Sequence, residues 1–157
     1  MYEFVLILHS GLRLVLLALT LMVFVRGVHG LISGRLYTRG DRTAGLALVV
    51  VADVQFLVGL ALYFVWSPNV SLALKDMGAA MKNPELRRVA VEHPVMMIAA
   101  LAFLHIGNVL RKRADTDALR HRWVAITVGL ALLLLCFGTS WPWSDPARPF
   151  FRTSAAG

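Results

Sequence analysis

The sequence predicts an all-α integral membrane protein, an up-down bundle of four transmembrane helices with a short interfacial helix between the second and third. Three observations carry this. Hydrophobic residues make up 58% of the 157. Four apolar runs, residues 4–25, 44–65, 93–109 and 123–137, are on the scale of the about 20 residues that cross a bilayer's hydrocarbon core. The alternating in/out pattern of a membrane β-barrel is absent, which leaves helices as the spanning elements. Residues 1–157 read as one domain.

Basic residues set the orientation. The link after span one carries Arg26, Arg35, Arg39 and Arg42, and the link after span three carries Arg111, Lys112, Arg113, Arg120 and Arg122. Both links are expected on the cytoplasmic side. The connection between spans two and three balances Lys75, Lys82, Arg87 and Arg88 with Asp76, Glu85 and Glu92, so that side and both termini are expected outside. Trp66, Trp141 and Trp143 then mark the outer interface and Trp123 the inner one, where amphipathic rings prefer to sit. The net charge of +7 reads as topology plus contact with anionic lipids, and nucleic acid explains it poorly.

Cys136 is the single cysteine, which excludes a disulfide framework, a thiolate metal cluster and covalent haem attachment. The first apolar run is longer than a signal-peptide core, so span one is expected to remain in the mature protein.

In span one, His9 and Arg13 are four residues apart and share a helix face. Ionisable groups inside a membrane are costly and call for a partner or a cofactor. Ser10 and Gly11 are small enough to admit a neighbouring helix or a flat ring. The first link contains Gly27, Gly30, Gly34 and Gly40, which suit turns, and His29 reads as a solvated or lipid-facing residue. Span two carries Asp53 and Gln55. At about 1.5 Å per residue, Asp53 and Arg13 reach similar depths from opposite sides, so an Arg13–Asp53 ion pair is expected. A proton-relay role for Asp53 is the sharper alternative.

Pro68 and Asn69 end the second span. Residues 71–81 place Leu74, Met77 and Met81 on one face, the pattern of a short helix on the outer interface or capping the bundle. Asn83-Pro84-Glu85 is a helix start, with Asn as cap and Pro at the first position. Pro94 removes a backbone donor and strips the Ala90 carbonyl of its partner. A continuous helix would therefore kink near His93, and an interrupted one would begin afresh there.

Spans one and three run parallel in such a bundle, so His9 and His93 both lie toward outward ends. A porphyrin fits the gap between diagonal helices, with one axial imidazole from each side. The expected cofactor is haem b on His9 and His93, with Arg13 as electrostatic anchor and Arg87 and Arg88 near the propionates. Met96 and Met97 offer an alternative axial ligand or simple packing. A second haem would draw on His105 with His29 or His121. His105 is twelve residues after His93, about 18 Å along a helix but about a third of a turn away in direction, so one outer haem is favoured.

The run Leu8-His9-Ser10-x-Leu12-Arg13, the segment Asp76-Met77-Gly78-Ala79-Ala80-Met81-Lys82, the core Glu92-His93-Pro94-x-Met96-Met97 and the link from Ala114-Asp115-Thr116-Asp117-Ala118 to His121 together resemble a family of small four-span bacterial membrane proteins loosely labelled cytochrome b-like. The resemblance covers most of the chain and implies a bacterial inner (cytoplasmic) membrane setting, with His9 and His93 as the pair of interest. In that family a histidine often stands at the position of Asp53, and this sequence departs there.

The expected function is quinol-linked electron transfer, between quinone and a partner redox protein in a respiratory or photosynthetic complex, with Glu92 and Asp53 handling protons. A cofactor-free accessory or scaffold subunit, packing its apolar faces on other membrane subunits, is the alternative. A proton or metal carrier using Asp53, Glu92 and the histidines is the third, and the chain lacks the internal repeat and broken helices common in transporters. No motif for hydrolysis or phosphotransfer is present.

Overall fold

In the computed structural model, residues 1–141 are described and every element among them is helical. Helix α1 is Tyr2–Ser33, and α2 is Arg39–Ala61, continued by a π turn over Leu62–Trp66. Three short helices follow: α3 (Pro68–Lys75), α4 (Met77–Lys82) and α5 (Pro84–Arg87). A second π turn, Arg88–Glu92, leads without a break into α6 (His93–Arg113), and α7 is Asp117–Gly138. Four stretches, Tyr2–Ser33, Arg39–Trp66, Pro84–Arg113 and Asp117–Gly138, are long and apolar enough to cross a membrane. The proline-containing tail, with Pro142, Trp143, Pro146 and Pro149, lies outside the described residues.

The long helices share one core. Leu16 and Val23 of α1, Leu48 and Ala52 of α2, Ala100 and Leu104 of α6, and Val124, Val128, Ala131 and Leu135 of α7 form a single buried cluster. Helix α7 packs on both α1 and α6 and is the most enclosed of the four, with 44% of its apolar window buried.

All four helices run past the apolar windows seen in sequence, and caps close three of their polar ends. Thr38 and Asp41 form a reciprocal capping box at the start of α2, which satisfies two otherwise open backbone donors. Thr116 caps α7 through the Leu119 N–H. At the end of α1, Gly34 adopts φ 66°, the left-handed conformation glycine reaches without strain.

The largest departure from expectation is the first link. Gly27 and Gly30 lie inside α1 and are contact points for α7. A Cβ on Gly27 would meet Val124 Cγ1 at 3.0 Å, and one on Gly30 would overlap the His121 ring. Small residues at these positions let two helix backbones approach closely.

Between α2 and α6 the expected single short helix is two helices divided at Asp76, whose carboxylate accepts from the Ala79 N–H. Ala73, Ala80 and Ala90 form a small second core. Leu74, Met77 and Met81 are exposed on the outside of it. Ser67 and Asn83 cap the helices that begin at Pro68 and Pro84.

Candidate functional site

The ends of four helices converge around His9 and His93. In α6 the missing N–H of Pro94 is absorbed by the preceding π turn, where the His93 N–H reaches back five residues to the Arg88 carbonyl. The Tyr63 hydroxyl, from the π turn of α2, donates to the Ala90 carbonyl at 2.9 Å. Two π turns are thereby joined across the site, in the element type that often marks functional positions.

His93 is oriented by α7. Its Nδ1 lies 2.8 Å from the Gly138 carbonyl, which can only accept, so Nδ1 carries a proton and donates. His9 is held from α2. The Gln55 amide nitrogen donates to the His9 carbonyl at 3.0 Å and stands 3.4 Å from the ring Nε2. Buried His9 Nδ1 and Gln55 Oε1 have no hydrogen-bond partner among the described residues. Gly59 makes room for the ring: a Cβ there would lie 3.2 Å from His9 Cε1.

The two imidazole centres are 6.4 Å apart with their planes at 77°. Both histidines line a cavity of about 310 Å³, with Arg13, Tyr63 and Met97 in its otherwise mostly apolar wall. That volume is at the lower end of the range of small-molecule and cofactor pockets. Among the described residues no three of His, Cys, Asp and Glu gather around a point. Two imidazoles on this cavity wall could hold only a metal whose remaining ligands come from elsewhere.

Other candidates fall elsewhere. Arg13 lines the cavity, but no Arg13–Asp53 pair forms. Asp53 instead accepts from His105 Nε2 at 2.8 Å, with the two side chains 42% and 50% exposed. The depth estimate for Asp53 counted rise along the helix but could not supply its direction around the axis. Glu92 is paired with Arg87 at 2.7 Å and is not among the cavity-lining residues. Arg88 holds the end of α7, donating to Ser140 Oγ at 2.9 Å and the Thr139 carbonyl at 3.0 Å. Met96 packs with Met97 on Gly138.

At the opposite end of the helices, His121 is fully buried against Gly30 and beside the Tyr37 ring, at 5.0 Å between centres. Burial pushes the Tyr37 phenol above its ordinary range. Buried Asp41 binds both Arg26 and Arg35, at 2.8 and 2.7 Å. His29 is exposed on α1. The three histidines proposed for a second haem thus have separate surroundings: His105 an exposed carboxylate, His121 a tight helix crossing, His29 open surface.

Sequence reasoning gave Gln55 no part in the site and did not use Tyr63. A polar amide one turn before a glycine in an apolar run was the available signal for Gln55. The need of the Ala90 carbonyl for a donor was the signal for Tyr63.

Comparisons with family models, curated proteins and solved structures find no match. The class rests on the chain itself: an all-helical protein with four helices long and apolar enough to span a membrane. Its particular mark is an opposed histidine pair on an apolar cavity.

Proposed function

We propose that the chain is a multi-pass protein of the bacterial inner membrane, an up-down four-helix bundle with both termini outside. It holds one haem b between His9 and His93 and passes electrons between quinone and a partner redox protein. The observation that carries this reading is the 6.4 Å separation of the two imidazole centres across an apolar cavity.

A bis-imidazole haem supplies a one-electron couple with little change in coordination, which suits electron transfer. The chain's own residues do the rest. The Gly138 carbonyl fixes the His93 tautomer and raises the basicity of its ring. Gln55 braces His9, and Arg13 places a positive charge on the cavity wall. Leu101, Leu104, Leu135 and Phe56 keep water out. Glu92, paired with Arg87 near the same end, is the carboxylate this reading assigns to proton exchange with the outer side.

The test is a dithionite-reduced minus air-oxidised visible spectrum of the detergent-purified protein, beside His9→Ala and His93→Ala. Sharp b-type bands in the wild type that vanish in both variants are expected. A colourless wild type with full helical circular dichroism overturns the cytochrome reading. The long exposed apolar faces of α2 and α6 would then favour an accessory subunit of a larger membrane complex.

A further inference from the structure

Of the neighbouring long helices, α2 and α6 pack on one another least. Two polar ties join them instead. Near the outer end the Tyr63 hydroxyl meets the Ala90 carbonyl at 2.9 Å, and deeper in the bundle His105 Nε2 meets Asp53 Oδ1 at 2.8 Å. Between the ties α2 runs ten residues, about 15 Å of helix. The histidine-lined cavity lies behind this gap. Its inner end is shut by Leu16, Ala52, Leu104 and Leu135, all buried. Over its outer end α3 packs across both π turns. Of the described residues that line it, only Phe64 and Ile98 are exposed, at 72% and 53%. One belongs to the end of α2 and the other to α6, so the rim of the cavity lies between those two helices.

We propose that the cavity opens sideways through this window into the hydrocarbon layer and takes an apolar ring compound directly from the bilayer. The wall matches that class of ligand. It is mostly apolar, and it presents the rings of Phe56, Tyr63 and Phe64 beside the two imidazoles, the kind of lining against which flat ligands pack. The direction of entry follows from solvation. A ligand that moves between an apolar cavity and hydrocarbon exchanges one apolar medium for another, whereas release into water would expose its whole apolar surface. Phe64 and Ile98 continue the apolar wall outward to the lipid. The two polar ties set the spacing of α2 and α6 above and below the gap, where direct helix packing is thin.

The proposal rests on the membrane placement in the reading above and not on haem. Vesicles containing the chain are first washed with alkali; release of the protein would overturn insertion itself, and with it the proposal. Protein from iron-starved cells, lacking the visible bands of haem, is then placed in vesicles with a lipophilic aryl diazirine, irradiated, and mapped by mass spectrometry. Labelling is expected at Leu16 and Leu135 inside the cavity and at exposed Val95, with none at Ala131, which is fully buried and does not line the cavity. A charged diazirine, present in the water on both sides, should miss Leu16 and Leu135. Filling the window with Leu60→Trp and Ile98→Trp together should abolish labelling at Leu16 and Leu135 and spare Val95. Labelling of Val95 without Leu16 and Leu135, labelling of those two from water, or unchanged labelling in the filled variant would each overturn the window. If the filled variant exposes Ala131 it has lost its packing, and the water-borne reagent then decides. Haem added to the same vesicles separates the two readings. Suppressed labelling with new b-type bands supports both, whereas a labelled cavity with neither suppression nor bands supports the window and overturns haem.

Discussion

Tyr63 illustrates how far single residues were legible. Pro94 announces a carbonyl that will lack its helical donor, and the sequence identifies Ala90 as its owner. It does not say which side chain answers. The answer comes from another helix, 27 residues earlier in the chain, a distance at which local pattern carries no information. Tyr63→Phe leaves that part-buried carbonyl unsatisfied and should cost about 1–2 kcal/mol. A lower thermal midpoint by circular dichroism is the expected result. An unchanged midpoint would mean that water or a lipid headgroup replaces the phenol. His9 and His93 were legible for a simpler reason: imidazoles near the starts of parallel helices must lie at one end. The partners of Asp53 and Arg13 were not legible, because depth is read from residue number whereas the direction around each helix depends on packing.

At the level of elements, hydropathy located the four long helices, but their ends depended on capping and crossing. The glycines at 27 and 30 look like turn residues only while α1 is considered alone. Against α7 they are the places where Val124 and His121 need room. Gly30→Ala would drive a methyl group into the His121 ring, and overpacking of this kind costs about 1–3 kcal/mol. The thermal midpoint should fall, and a second change of His121→Ala should recover most of the loss. If Gly30→Ala alone melts like the wild type, α1 and α7 are not as close at this crossing as described. His121 was a candidate ligand by residue type, yet the glycine that admits it encloses it in a tight helix crossing.

For the whole molecule, the proposed orientation makes a prediction independent of any cofactor. Single cysteines in a Cys136→Ser background, at Ser33 near the first link and at Ala79 in the middle connection, should sit on opposite sides of the membrane. In right-side-out vesicles an impermeant maleimide should label Ala79→Cys and spare Ser33→Cys until the membrane is opened. Labelling in the reverse order would invert the topology read from arginine and lysine placement. The basic character of the two links was fully visible in sequence. The cavity was not, because it is a property of how four helices splay.

Helix α7 supplies the carbonyl that orients His93 and contacts both α1 and α6, yet it emerges from the ribosome after the other three long helices. During synthesis, in the proposed membrane setting, α1, α2 and α6 wait in the bilayer with no central post. His93 meanwhile lacks the acceptor that later fixes its tautomer. A ligand arriving before α7 would meet an unaimed imidazole.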